Sequence, residues 1–344
     1  MVRKLSLLLF LFSISLFSKD EKRLALVIGN ANYDKGVLKN PVNDARLIAS
    51  TLDSLDFDVI LKENLATKRD MTAAIREFGS KRSEYDVAFV YYAGHGIQIS
   101  GENFLLPTKE VFEEEFDIMD YGVSVQSIMR YLEAQTNEVN ILILDACRDN
   151  PFESKWNKTR SLKGSGLAKI PAPTGSLIAF STDSGQTAPD GEGENSQYTL
   201  SLVKNMKLEN ISIDQVFRNV RLEVLELTNG AQRPVENTQL VGKSFLLNKT
   251  FSINNSSTEE IINFSNDKLS KGEIKQVIEI LNSAADLAAI NNKFNDEVLL
   301  RKKIIEDYSF NKLNDGLPRH FSLEIRNLDY QKISFDDFEK YFEN

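Results

Sequence analysis

Cysteine is almost absent from this chain: Cys147 is the only one in 344 residues. No internal disulfide can form, and no zinc site of the cysteine-rich kind can be built. Histidine is nearly as scarce, with only His95 and His320. There is no excess of positive charge either. Fifty acidic residues against 41 basic ones give a net charge of −9. A general nucleic-acid binder would present a basic face, so that class is excluded and no nucleic-acid partner is expected. The sequence also lacks a phosphate-cradling glycine loop and any internal repeat. Its one long apolar stretch is N-terminal, Leu5 to Phe17. That is short of the ~20 residues a membrane-spanning helix needs.

That stretch has a specific context. Arg3 and Lys4 precede it, and charge returns at Lys19, Asp20, Glu21, Lys22 and Arg23. This is the order of a secretory signal peptide, with Ser18 as the last residue removed. Leu16 departs from the small residue usual three positions before the cut. No cysteine follows, which excludes lipid attachment there. The expectation is an exported protein, periplasmic or extracellular, without stable membrane association after signal removal. Three segments follow: a signal peptide over 1–18, a folded domain over 19–248, and a polar helical extension over 249–344.

Between Arg23 and Leu247 strand and helix signals alternate. Leu24–Gly29, Phe57–Leu61, Val87–Ala93, Val139–Ala146 and Ser176–Ser181 read as strands, with a last one near Phe245–Leu247. Asn40-Pro41 opens a helix, asparagine as cap and proline at its first position. Further helices are expected over Ala66–Phe78, Val125–Leu132, Tyr198–Met206 and Ile213–Thr228, with a tight turn at Gly101-Glu102. Alternation of this kind implies an α/β fold with a mostly parallel sheet and helices on both faces. Two stretches break the rhythm, the basic loop Glu153–Pro173 and the Gly/Ser/Asp-rich loop Asp183–Ser196. Loops of that length in a compact domain are usually functional or disordered. Beyond Lys249, helices are expected near Glu259–Phe264, Lys271–Leu287 and Asp296–Tyr308. Ile333–Phe338 reads as amphipathic helix and not as an EF-hand exit, because Arg326, Leu328 and Tyr330 stand where acidic ligands belong. His320 reads as a surface residue.

The two rare residues sit in telling places. Cys147 closes the apolar run Asn140-Ile-Leu-Ile-Leu-Asp-Ala-Cys147, and His95 closes Val87-Ala-Phe-Val-Tyr-Tyr-Ala-Gly-His95. Singly, Cys147 fits a core cysteine and His95 a hydrogen-bonded loop residue. Polar Arg148-Asp149-Asn150 after Cys147 places it at a strand end near solvent. Ligands in parallel sheets gather at the carboxyl ends of strands. If the two strands are neighbours, thiol and imidazole form a nucleophile and base.

At this point the residues match a known family. The chain resembles the caspase-like cysteine peptidases, and within them the bacterial metacaspase-like branch. The resemblance rests on Arg23-Leu-Ala-Leu-Val-Ile-Gly-Asn30, Leu38-Lys-Asn-Pro-Val-Asn-Asp-Ala45, Tyr91-Tyr-Ala-Gly-His-Gly96 and Asp145-Ala-Cys-Arg-Asp-Asn-Pro151. It continues through Gly175-Ser-Leu-Ile-Ala-Phe-Ser181, Asp190-Gly-Glu-Gly-Glu-Asn-Ser196, Phe217-Arg-Asn-Val-Arg221 and Thr228-Asn-Gly-Ala-Gln-Arg-Pro234. It covers 23 to about 248 and not the tail. It implies a three-layer α/β/α fold, Cys147 as nucleophile, His95 as acid/base, and the backbone N–H groups of Gly96 and Cys147 as oxyanion hole.

The resemblance also bears on substrate. Animal caspases carry glutamine at the position of Asp145 and accept aspartate, whereas metacaspases carry aspartate there and cleave after Arg or Lys. The second pocket aspartate of metacaspases matches Asp44. Strand alternation independently puts Asp145 on the side of Cys147. Two carboxylates favour a guanidinium, so cleavage after Arg is expected, with Lys second. Other roles stay open: Asp44 suits the first turn of a helix, Asp145 a cap, and Arg46 is near enough in sequence to neutralise Asp44. The partners expected are proteins or peptides with Arg or Lys before the scissile bond, and the basic loop becomes a candidate for self-cleavage at Lys155, Lys158, Arg160 or Lys163. No cofactor or metal is expected. The family's calcium-linked acidic position falls on Lys109, and the run Glu113-Glu-Glu115 with Asp117 and Asp120 reads as a solvated face. The competing classes are a catalytically idle caspase-like binding module and another cysteine enzyme on a related fold, such as a separate-lineage endopeptidase or a transpeptidase.

Overall fold

The computed structural model describes residues 21–133, 139–147, 167–183, 193–242, 244–249, 256–270 and most of 272–304. The expected signal peptide, Lys155 to Lys163, His320 and Ile333–Phe338 lie outside those residues. The chain divides into two compact units at Lys249/Thr250.

The first unit is built on a parallel sheet. β1 (Arg23–Gly29) lies between β2 (Phe57–Glu63) and β3 (Val87–Ile99). β6 (Val139–Cys147) and β7 (Ser176–Phe180) extend the sheet beyond β3, and β8 (Val235–Thr238) closes it antiparallel. β1, β3, β6 and β7 are apolar on both faces because helices cover both, as a parallel sheet requires. α1 (Pro41–Asp53), α5 (Gln197–Met206) and α6 (Ile213–Leu227) cover one face. α2 (Lys68–Lys81) and α4 (Val125–Glu133) cover the other. On β6, Ile141 and Ile143 belong to the first core and Leu142 and Leu144 to the second. This is the three-layer α/β/α architecture expected from the sequence.

Four local features differ from the sequence reading. β3 does not stop at Ala93. It runs on to Ile99, because past His95 it leaves the parallel ladder and pairs antiparallel with β4 (Glu102–Leu105). Ser100 and Gly101, both at positive φ, make that turn. β5 (Val123–Ser124) adds to β4, preceded by α3 (Glu115–Tyr121) in the acidic run. There the Asp117 carboxylate accepts the N–H groups of Glu113 and Glu114 and closes a capping box. The edge strand is Val235–Thr238, while Phe245–Leu247 forms only a bridge from Leu246 to Ser212. Pro234 immediately before β8, and its Val-Glu-Asn-Thr sequence, hid it from a search for apolar runs. Asn40 occupies the cap position of α1 without a side-chain capping bond, so Pro41 alone marks that start.

The second unit contains α7 (Thr258–Ser270), α8 (Ile274–Ile290) and helical residues between 295 and 304. Its core, among the described residues, is Ile261, Val277, Leu281, Ala284, Ala285, Ala288, Leu300 and Ile304. Arg301 ties it together through Asp286 and Glu297, each at 2.9 Å. Among the described residues no helix is long and apolar enough to cross a membrane.

Candidate active site

The carboxyl edge of the sheet is shaped by β3 and β6. They pair in parallel register from Val87↔Val139 to His95↔Cys147. The two rare residues are therefore direct neighbours on adjacent strands, at a backbone spacing of ~4.8 Å. The same ladder pairs Ala93 with Asp145.

His95 is buried and held from several directions. Its ring Nε2 lies 2.6 Å from the carbonyl oxygen of Gly36. Its backbone N–H donates to the Tyr33 hydroxyl (2.9 Å), and the Tyr33 ring leans on the imidazole at 4.4 Å between centroids. Its carbonyl accepts from the Tyr92 hydroxyl (2.8 Å) and from Leu106 N–H (3.0 Å). Gly94 makes this possible. Its φ is +154°, and a Cβ there would sit 2.7 Å from both the Tyr33 and Tyr92 hydroxyls. The loop carrying Tyr33 and Gly36 is fixed in turn by Asn64, whose side-chain oxygen accepts from Ala31 and Asn32 N–H.

Gly96 follows at the point where β3 changes partner. It is paired with Leu105, and the bond from Leu106 N–H to His95 carbonyl flanks that pair. Such a flanking bond marks a non-hydrogen-bonded antiparallel pair. The Gly96 N–H is thus turned away from β4. A Cβ on Gly96 would come within 2.9 Å of Ala146 Cβ, so no other residue fits this approach to β6.

Asp44 and Asp145 come together although 101 positions separate them in sequence. Asp44, in the first turn of α1, is only 2% exposed. Its Oδ1 accepts from Asn195 Nδ2 (2.8 Å) and Ser196 N–H (3.0 Å). Asp145 Oδ2 accepts from the hydroxyls of Tyr91, Ser196 and Thr199, each at 3.1 Å. Among the described residues no salt bridge reaches either carboxylate. Arg46 does not neutralise Asp44: its guanidinium forks onto Glu63, with both bonds at 2.7 Å. Burial, and then the charge of Asp145, push the Asp44 carboxyl from 3.8 up to about 7. Burial also raises Asp145, against the pull of its hydroxyl donors. Two buried carboxylates with no cation beside them among the described residues suit a guanidinium or ammonium group.

Elsewhere, Lys109 pairs with Asp34 at 2.5 Å. Among the described residues no three or more His, Cys, Asp or Glu side chains gather as a metal ion needs. Sequence reasoning named His95, Gly96, Cys147, Asp44 and Asp145. It missed Tyr33, Gly36, Tyr92, Asn195, Ser196 and Thr199. Ser196 carried a signal, since serine before a helix is a good cap, but nothing local tied it to two distant aspartates.

An α/β/α sandwich with a histidine and a cysteine paired in register on adjacent strands at one sheet edge is a caspase-like architecture. A crystal structure of caspase-1 from Spodoptera frugiperda superposes with a TM-score of 0.50 at 16% identity, covering 67% of this chain and 92% of that one. That likeness is one of fold. The family model described as the caspase domain matches residues 22–246. The chain belongs to the caspase-domain family and carries a caspase-like peptidase domain. It is also 31% identical over 127 residues to the human mucosa-associated lymphoid tissue lymphoma translocation protein 1, and 30% identical to the mouse homologue. Those matches span 37% of this chain but only 15% of either relative.

Proposed function

We propose that this protein is an exported cysteine endopeptidase that cleaves after Arg, and less readily after Lys. The observation that carries the reading is the register of β3 and β6, which sets the Cys147 backbone beside His95 at the carboxyl edge of the sheet. In this reading the Cys147 thiolate attacks the substrate carbonyl carbon. His95 delivers its proton to the leaving amine, and water then hydrolyses the acyl-enzyme. The Gly96 and Cys147 N–H groups meet the developing oxyanion. The Gly36 carbonyl at Nε2 and the tyrosine cradle support His95 as the group that moves the proton, because they fix its ring. The buried pair Asp44 and Asp145 supports a basic residue before the scissile bond. Export follows from the signal-like N-terminus, and cleavage within 153–173 would be self-processing at Lys or Arg.

The test is hydrolysis of matched fluorogenic peptides ending in Arg, Lys or Asp by full-length mature protein and by Cys147→Ala. Turnover after Arg exceeding Lys, and reduced by ~10³-fold or more in Cys147→Ala, is the expected result. Cleavage after Asp would overturn the pocket assignment while keeping the dyad. Folded protein that neither turns over nor reacts at Cys147 with an arginyl chloromethyl ketone would favour the idle binding module, and amine-dependent ligation products the transpeptidase.

A further inference from the structure

Both carboxylates of the anionic site converge on one residue, Ser196. Its N–H donates to Asp44 Oδ1 at 3.0 Å, with a longer contact of 3.4 Å to Oδ2. Its hydroxyl donates to Asp145 Oδ2 at 3.1 Å and at the same time accepts Thr199 N–H, also at 3.1 Å, capping α5. Its neighbours anchor the same stretch. Asn195 Nδ2 bonds Asp44, and Asn43 Nδ2 bonds the Glu194 carbonyl at 3.0 Å. Ser196 is thus the joint at which α1, β6 and the positive end of α5 meet.

We propose that Ser196 is a positioning and specificity-determining residue: by holding Asp44 with its backbone and Asp145 with its hydroxyl, it sets the site's affinity for a basic side chain. The inference rests on the reading of Asp44 and Asp145 as the pocket for Arg or Lys.

Two like charges buried side by side repel and resist ionisation. Donors aimed at them offset that cost, and the N-terminus of α5 adds a favourable dipole. Ser196 delivers that dipole to both carboxylates. Among the described residues Tyr91 and Tyr198 are the other titratable groups acting on the pair, and burial followed by the Asp145 charge keeps both phenols protonated. Glu236 also acts on Tyr198 but not on the carboxylates' hydrogen bonds. Asp44, raised to about 7, is then the carboxyl whose ionisation follows pH near neutrality, and the Ser196 donors favour the charged form of both aspartates. Without the hydroxyl, Asp145 retains the Tyr91 donor and, from the first turn of α5, the Thr199 donor, but loses its bond to the cap residue that also holds Asp44.

The experiment separates this role from helix capping. Full-length protein carrying Ser196→Ala, Ser196→Thr or Ser196→Asp is assayed on an Arg peptide from pH 5.5 to 9. In parallel, binding of the same peptide is measured by calorimetry in a Cys147→Ala background. Ser196→Ala is expected to raise KM and Kd roughly tenfold at pH 7 with kcat within about twofold, and to shift the fall of KM to higher pH. Threonine keeps cap and hydroxyl and should restore both. Aspartate caps the helix but cannot donate to Asp145 and adds a third negative charge. Its charge holds the two carboxyls toward their neutral forms, so the fall of KM should move to higher pH than in wild type. Wild-type KM, Kd and pH profile in Ser196→Asp would assign Ser196 to capping alone and overturn the proposal. So would an unchanged Ser196→Ala. If Ser196→Ala does not fold, the threonine and aspartate variants still decide. A wild-type chain that binds the Arg peptide but does not hydrolyse it would sink the peptidase reading and leave this inference standing.

Discussion

The histidine cradle and the carboxylate pocket lie at the same sheet edge and are built on opposite principles. Around His95 the contacts are neutral and local: two tyrosine hydroxyls, backbone carbonyls and N–H groups, and an aromatic face. Each donor meets an acceptor, so the cradle stabilises the fold as well as orienting the ring. Around Asp44 and Asp145 two buried carboxylates share hydroxyl and amide donors but no cation among the described residues. Burial raises both carboxyls, so their charged forms are disfavoured without a positive group beside them. In the proposed function, rigidity serves the group that moves the proton, and the paired carboxylates serve the group that recognises a basic side chain.

The largest effect that would break this contrast is at Asp44. Asp44→Asn should lower kcat/KM for Arg peptides roughly 10²- to 10³-fold, because it leaves a buried guanidinium short of one charge. The same change should stabilise the unliganded fold. A carboxyl raised from 3.8 to about 7 in the folded state binds its proton more tightly there than in the unfolded chain. Its stabilising contribution is complete below the ordinary carboxylate range and is lost as pH rises through about 7. At pH 8 the asparagine variant should therefore melt ~2–5 °C above wild type. In wild type, KM for Arg peptides should fall as pH rises through about 7, since the cation needs the ionised form. A flat KM profile together with an unchanged melting temperature would remove the contrast between the two regions.

A smaller effect sharpens the other side. Tyr33→Phe keeps the ring against His95 and removes one hydroxyl from the cradle. Kcat should fall roughly threefold to tenfold with KM nearly unchanged, the worth of about one neutral hydrogen bond. A change in KM alone would mean that Tyr33 serves the pocket. The smallest effect is at Arg46. With its guanidinium on Glu63, Arg46→Ala should leave KM within about twofold of wild type. A large drop in KM would show that Arg46 swings onto Asp44 in solution.

Much of this was legible in the chain. Apolar runs gave β1, β3, β6 and β7, since strands covered on both faces need no alternation to be recognised. Proline at 41 marked α1, and the Cys/His scarcity drew attention to two strand ends. Edges were harder. β8 is polar, so its place follows from pairing with β7, and the continuation of β3 past His95 depends on a partner, β4, folding back across Ser100-Gly101. The tyrosine roles escaped notice because Tyr91 and Tyr92 read as core residues, and their hydroxyls acquire meaning only from what faces them: His95 for Tyr92, Asp145 for Tyr91.

While the two aspartates were singled out by the family resemblance, the sequence by itself determined the strand and helix alternation and the residue types available for chemistry. It did so because hydrophobic period and turn chemistry are local. Tertiary structure alone decided that β3 and β6 are neighbours in register, that Arg46 turns to Glu63, and that Ser196 reaches both Asp44 and Asp145. Those outcomes depend on contacts between segments up to 152 positions apart, and no local pattern encodes the direction in which a side chain meets a distant partner.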